Sequence, residues 1–278
     1  MTETNKPVLV LGATGKTGSR VADRLTTRGL PVRLGSRSGR PPFSWDDETT
    51  WGPVLRDTAS VYVSYYPDIG APGAADVIGA FAEQAVSTGV TRIVLLSGRG
   101  EDEAERSELA MRKSGADWTI LRASWFAQNF SESFLLGPVL GGEVALPAGD
   151  VLEPFVDVDD VADVAVAALT EPGHSGELYE LTGPRGITFA EAVAEIARAS
   201  GRDIGYRKLT TGQFAAGLAE QAGLEDPGYV EFLTYLFAEV LDGRNSRPAD
   251  GVRRATGRAP RSFADYARKA AATGVWTA

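Results

Sequence analysis

Gly12, Gly15 and Gly18 stand three residues apart in the stretch GATGKTG, directly after the apolar run Val8–Leu11. Glycines at this spacing let a chain turn sharply off a strand end and bring backbone N–H groups against a phosphate. Gly15-Lys16-Thr17 also matches the end of a nucleoside-triphosphate loop. That loop would need its first glycine at position 10, where Val10 stands inside the apolar run. A nucleoside triphosphatase is therefore excluded, and the strand–turn–helix context selects a dinucleotide. Gly12 serves the tight turn, Gly15 the approach of the pyrophosphate and Gly18 the close packing of the helix. Thr14, Lys16 and Thr17 occupy the same loop and are expected to bind the cofactor with them.

The choice of dinucleotide rests on the end of the second strand, where an acidic residue would grip a ribose 2′-hydroxyl. Here the chain reads Leu34-Gly35-Ser36-Arg37-Ser38, with a guanidinium between two hydroxyls and no acid. Arginine suits a 2′-phosphate through paired, charge-assisted hydrogen bonds. NADP(H) is expected over NAD(H), with Ser36, Arg37 and Ser38 at the phosphate.

These residues need a frame, and the first half of the chain supplies one. Short apolar runs alternate with amphipathic segments, as in repeated βαβ units. Strands are expected at Val8–Leu11, Pro31–Ser36, in degenerate form near Phe43, and at Ser60–Ser64, Arg92–Leu96, Trp118–Leu121 and Leu178–Leu181. Helices are expected at Ser19–Arg28, Ala74–Ser87, Glu103–Lys113, Val158–Thr170, Phe189–Ser200, Thr211–Gly223, Tyr229–Leu241 and Ser262–Thr273. The fold class is α/β: a doubly wound, parallel-sheet Rossmann fold with a small, mainly helical C-terminal substrate lobe. Residues 1–122 and about 154–182 form the Rossmann core, and about 123–153 and 183–278 the lobe. Ligands in such sheets bind beyond the carboxyl ends of the strands.

Composition removes other classes. A net charge of −9 opposes general affinity for nucleic acid or anionic membranes. There is no cysteine and a single histidine, His174, so thiolate and His-rich metal sites are excluded and no metal is expected. His174 lies in the Gly/Pro-rich stretch EPGHSGE and is expected to face solvent. Asp157, Asp159 and Asp160 cluster where a helix begins, and capping and the helix dipole account for them. No apolar run approaches the ~20 residues that span a bilayer. The expected setting is the cytoplasm, as a monomer or homodimer acting on a small molecule.

The chain resembles the NmrA-like group of atypical short-chain dehydrogenase/reductases. The resemblance rests on GATGKTGSRV, on Arg37, on RIVLLSGRG at 92–100 and on SGADWTILRASWFAQNF at 114–130. It continues through PFVDVDDVADVAVAAL at 154–169 and LYELTGP at 178–184, so it covers nearly the whole chain. It implies a single NmrA-like unit over 1–278 and NADPH-dependent reduction of quinones, carbonyls or other electrophiles. Some members are instead silent redox sensors that bind NAD(P) and touch a protein partner, which is the alternative reading. The resemblance also implies that Ser97 faces nicotinamide or substrate, and that Trp125, Phe126 and Asn129 lie at the pocket mouth.

One departure matters. The usual Tyr-x-x-x-Lys pair is absent: no tyrosine lies between Tyr66 and Tyr179. In its place the helix reads Glu101-Asp102-Glu103-Ala104-Glu105-Arg106-Ser107-Glu108. Carboxylates there are not expected to do the tyrosine's job in the same manner, so the ordinary proton relay is missing. Hydride transfer itself needs only a bound nicotinamide and an acceptor carbon. The missing pair narrows the substrate to one whose product anion is stable, such as a quinone, an enone or an activated carbonyl. Candidate catalytic residues are Tyr65, Tyr66, Ser97 and Asn129. Ser64, Tyr65 and Ser97 are expected along the cofactor, and Trp125, Phe126, Asn129 and Phe155 along the substrate. Each has a plainer role available in turns or packing.

Overall fold

The computed structural model describes residues 6–222 and 227–277. They fall into two compact units. The first runs to Ala123 and takes in Val158–Leu181 and Asp250–Ala259. The second comprises Ser124–Asp157, Thr182–Ala249 and the chain from Pro260.

Along the chain, β1 (Val8–Leu11), α1 (Lys16–Thr27), β2 (Val32–Gly35), α2 (Trp51–Leu55) and β3 (Ser60–Val63) begin the first unit. They are followed by α3 (Ala74–Ser87), β4 (Arg92–Gly98), α4 (Asp102–Lys113) and β5 (Asp117–Ala123). The second unit opens with α5 (Asn129–Glu132), α6 (Leu136–Leu140) and β6 (Glu143–Leu146). The first resumes with α7 (Val158–Thr170) and β7 (Glu177–Leu181). Then come α8 (Phe189–Ser200), β8 (Gly205–Lys208), α9 (Thr211–Ala222) and α10 (Pro227–Tyr235), with a π-helical turn over Leu236–Val240. Finally, α11 (Gly251–Thr256) belongs to the first unit and α12 (Phe263–Ala272) to the second. Gly223 of the expected 211–223 helix and the Tyr229 side chain lie outside the described residues.

The first unit is a six-stranded parallel sheet in the order β2-β1-β3-β4-β5-β7. Its strands are apolar runs because both sheet faces are covered. Leu9, Leu11, Val61, Val63, Ile93 and Leu95 meet Trp51, Ile78 and Phe81 in one core. Val8 pairs with Val32 on one side and Ser60 on the other, so the order reverses at β1. The loops after β1 and β3 therefore face the crevice where doubly wound folds take ligands.

The degenerate strand near Phe43 does not form. Pro41 and Pro42 offer no N–H to a ladder, and Phe43 turns its ring into the core against Trp45 and Phe81. The segment makes only an isolated bridge, Ser44 to Asp47, and β2 is left as the sheet edge.

In the second unit Phe130, Phe155, Phe189, Phe237 and Phe263 build an aromatic core. Helices α8 and α12 start at capping boxes, Thr188 with Glu191 and Ser262 with Asp265, which satisfy otherwise orphan amides. The parallel pair β6 and β8 has no periodic signature in the sequence and exists through its pairing.

Candidate functional site

The glycine turn is built by close approach. Gly12 has φ +65°, and a side chain there would also meet Ser64 at 3.1 Å. Gly15 donates to the Gly12 carbonyl at 2.8 Å and is the N-cap of α1. A Cβ on Gly18 would stand 2.2 Å from the Gly12 oxygen, so only glycine lets α1 pack this near. No acidic residue occupies the first turn of α1, and no side chain caps it. Its amides and positive dipole end are thus left for an anion. Thr14 is exposed, Lys16 half-buried and Thr17 buried. The cradle fits a pyrophosphate.

Beside the turn lies a cavity of about 590 Å³, lined among others by Thr14, Leu34, Ser36, Ser38, Gly39 and Arg40. This is within the range of small-molecule sites, roughly 300–1,000 Å³. Arg37, between the two serines in sequence, is exposed and is not among the residues that line the cavity. Arg33 is committed elsewhere, to the carbonyls of Val54 and Arg56. Sequence reasoning missed Arg40, which lines the cavity together with Arg33. Its position after a turn rather than on the strand gave no periodic signal.

Beyond β3 and β4 the expected residues have different surroundings. Ser64 is half-buried against Gly12. Tyr65 packs on Trp45 with ring centres 5.0 Å apart, and burial raises its pKa, with Asp46 adding to the shift. Tyr66 is 71% exposed. Ser97 is buried and donates to Glu108 Oε1 at 2.6 Å. Glu108 is buried as well and receives Arg122 Nε at 2.9 Å. Burial also raises Tyr62, Tyr179 and Tyr206.

Two carboxylates stand at the same strand ends: Asp68, which the sequence reading passed over, and Glu101, which it set aside with the other helix carboxylates as no replacement for the tyrosine. Asp68 follows β3 and accepts from the Gly70 amide at 2.9 Å. Glu101 follows β4, and burial together with Asp68 pushes its carboxyl up to about 8. The folded value lies above the ordinary 4.5, so the folded state holds the proton more tightly. This stabilisation is fully present below pH 4.5 and is lost as pH rises through 8. Thermal melts should therefore fall by about 10 °C from pH 5 to pH 8.5 in a way that Glu101→Gln abolishes. Parallel slopes for both proteins would refute it.

In the second unit Trp125 lies edge-on to Phe189 and against Phe237. Phe126 is half-buried and bridges to Val156 through its backbone. Asn129 is half-buried and opens α5, while its carbonyl accepts from Leu135. Phe155 is buried among Phe130, Phe189 and Phe263. The acid cluster holds the structure together: Asp157 accepts from Gln128, Asp159 pairs with Arg24, and fully buried Asp160 pairs with Arg258 at 2.7 Å. Among the described residues no three His, Cys, Asp or Glu side chains converge on a metal position.

His174 is a correction. It is buried, not solvent-facing, with Nδ1 2.9 Å from the Tyr179 hydroxyl, and burial lowers its pKa. The loop folds back because Thr119 donates to the His174 carbonyl and Gly176 to that of Trp118. These long-range bonds leave no trace in the local Gly/Pro pattern.

No family model matches the chain. Among curated proteins, agroclavine dehydrogenase of Claviceps fusiformis is 32% identical over 93% of this chain and 95% of its own. The (4-alkanoyl-5-oxo-2,5-dihydrofuran-3-yl)methyl phosphate reductase of Streptomyces griseus is also 32% identical, over 93% and 96%. Among solved structures, the Escherichia coli NADPH-dependent quinone oxidoreductase QOR2 complexed with NADPH has a TM-score of 0.79 at 20% identity. It covers 94% of this chain and 99% of that one. Nmra, a negative transcriptional regulator, has a TM-score of 0.69 at 17% identity over 97% and 98%. Both structures share the parallel-sheet fold. No helix among the described residues is long and apolar enough to cross a membrane. With identity at this level over nearly the whole chain and an intact dinucleotide turn, the chain belongs to the NmrA-like group of atypical short-chain dehydrogenase/reductases and is an NAD(P)H-dependent oxidoreductase.

Proposed function

We propose that the protein uses NADPH to reduce a small conjugated or electron-poor acceptor, a quinone, an enone or an activated carbonyl, by direct hydride transfer. One observation carries the substrate class. The cofactor turn is sterically intact, while Tyr65, at the end of β3, is made less acidic by its surroundings. A neutral phenol with a raised pKa gives a developing alkoxide little help. An acceptor that delocalises its charge does not need that phenol, because its anion persists long enough to take a proton from another group. The Streptomyces relative is named for a phosphate ester whose oxo-dihydrofuran ring carries an alkanoyl group, a conjugated and electron-poor ring system.

The cofactor preference is supported by Ser36, Ser38 and Arg40 in the cavity wall and by the exposed Arg37 between the two serines. When bound, the cofactor supplies the hydride. The chain's own residues hold its phosphates on the α1 amides and its 2′-phosphate on guanidinium and hydroxyl groups. With this reading go a cytoplasmic setting, a monomer or homodimer, and a small-molecule partner rather than nucleic acid. The surplus of negative charge supports the last point.

Calorimetric titration with NADPH, NADP⁺, NADH and NAD⁺ is the first test, followed by turnover with quinones and enones. Arg37→Ala should weaken NADPH binding about 10- to 100-fold, the scale of a lost charge-assisted hydrogen bond, and leave NADH nearly unaffected. Equal losses for both would show that Arg37 does not meet a 2′-phosphate. Turnover of no acceptor in these classes would sink the substrate reading.

A further inference from the structure

The missing tyrosine–lysine pair leaves a gap in the reaction, and two carboxylates stand at the strand ends where it would be filled. Glu101 is the N-cap residue of α4, yet its side chain makes no capping hydrogen bond. It turns inward instead, and its Oε2 is buried without a hydrogen-bond partner. The carboxylate is wedged between two glycines. A Cβ on Gly98 would lie 2.0 Å from Oε1, and one on Gly70 would lie 2.0 Å from Oε2. The same Gly70 position is 3.5 Å from Asp68 Oδ1, which holds the Gly70 amide. Two carboxyl groups thus press on one glycine between the ends of neighbouring strands β3 and β4.

Like charges this close and this shielded cannot both ionise without cost, so a shared proton is the ordinary solution. The surroundings agree. Burial raises Asp68, opposed by the Gly70 amide and by Lys16 from the phosphate turn. Burial and Asp68 raise Glu101. The other charges nearby are engaged elsewhere: Glu103 takes the amides of Gly73 and Ala75 and pairs with Arg106, and Arg99 pairs with Glu180. Lys16 links the pair to the turn that fits the cofactor.

We propose that Asp68 and Glu101 share one proton and that this proton is the one the reduced substrate receives. The inference rests on the functional reading above. In the balanced step, the acceptor carbon gains a hydride, with its two electrons, from the bound dihydronicotinamide. The acceptor's π pair moves to its conjugated oxygen or carbon, and that anion takes the proton from the Glu101 carboxyl. The pair is left doubly ionised, and a solvent proton restores it.

The test has two readouts. In infrared spectra of the protein alone, the protonated-carboxyl C=O stretch should be present near neutral pH, vanish as pH rises past about 8, and be missing in Glu101→Gln. Asp68→Asn removes the like charge and should move that titration to lower pH. It also keeps the question open to refutation if the first variant folds poorly. For turnover, an enone needs a proton after hydride transfer, whereas a cationic triarylmethane dye is neutralised by hydride alone. Glu101→Gln should lose at least about tenfold more rate on the enone than on the dye, within the usual range of acid catalysis. A wild-type protein without the band, a band that survives in Glu101→Gln, an unmoved titration in Asp68→Asn, or equal losses on both acceptors would each overturn the proposal. If the wild type reduced neither acceptor, the functional reading and the transfer step would fall together. The infrared band would still decide whether the pair shares a proton.

Discussion

Gly18→Ala should cost about 3 kcal/mol of stability and remove measurable dinucleotide binding, because the new methyl has nowhere to go. Its Cβ would stand 2.2 Å from the Gly12 oxygen, 2.6 Å from the Gly12 carbonyl carbon and 3.1 Å from Ala13 Cα. All three are backbone atoms, so no side chain can swing aside. Relief requires α1 to retreat from the turn, and retreat pulls its amides out of the cradle. Gly12 cannot yield either, since its positive φ and its approach to Ser64 fix the turn from the other side. A matched control is Gly217→Ala in α9, where no atom of the described residues lies within 4 Å of the added carbon. There alanine should be neutral or stabilising by up to about 1 kcal/mol, the propensity difference in a helix. Denaturant unfolding and calorimetric titration of both variants check the pair. Retained NADPH affinity in Gly18→Ala would mean that the turn does not hold the pyrophosphate.

Removing the guanidinium of Arg122 should cost at least as much stability, for an electrostatic reason. Glu108 is 2% exposed and has three donors: Ser97 Oγ at 2.6 Å, Arg122 Nε at 2.9 Å and Arg122 Nη2 at 2.5 Å. Arg122→Met preserves much of the side-chain volume but leaves a buried carboxylate with Ser97 alone. Breaking one side of such a pair costs about 3–5 kcal/mol, mainly because the remaining charge is uncompensated. The double variant Glu108→Gln with Arg122→Met removes the charge as well and should recover about half of the loss. A double-mutant cycle in urea measures both terms. A loss below about 1 kcal/mol for Arg122→Met would show that Glu108 does not depend on the guanidinium to stay buried.

The sequence by itself determined the elements whose signal is local. Ala74–Ser87, Val158–Thr170 and Phe189–Ser200 occur as helices with the bounds that apolar periodicity and flanking residues indicate. Gly12, Gly15 and Gly18 are legible because a strand end, a turn and a helix start lie within one short stretch. Their steric requirement is carried by backbone atoms a few residues away. The tertiary structure decided whatever depends on partners distant in the chain. Phe43 reads as part of a strand, but two prolines deny it a ladder and the core takes its ring. His174 reads as a loop residue, and hydrogen bonds from β5 bury it. Ser97, Glu108 and Arg122 meet because the β4–β5 register sets Ser97 directly opposite Arg122, while α4 returns Glu108 to the same place. Asp68 and Glu101 become a pair only because β3 and β4 are neighbours and glycines at 70 and 98 leave room for a carboxylate between them. Each is an ordinary surface acid by sequence. Burial and mutual repulsion, which exist only once the sheet has assembled, give them a shared proton to hold.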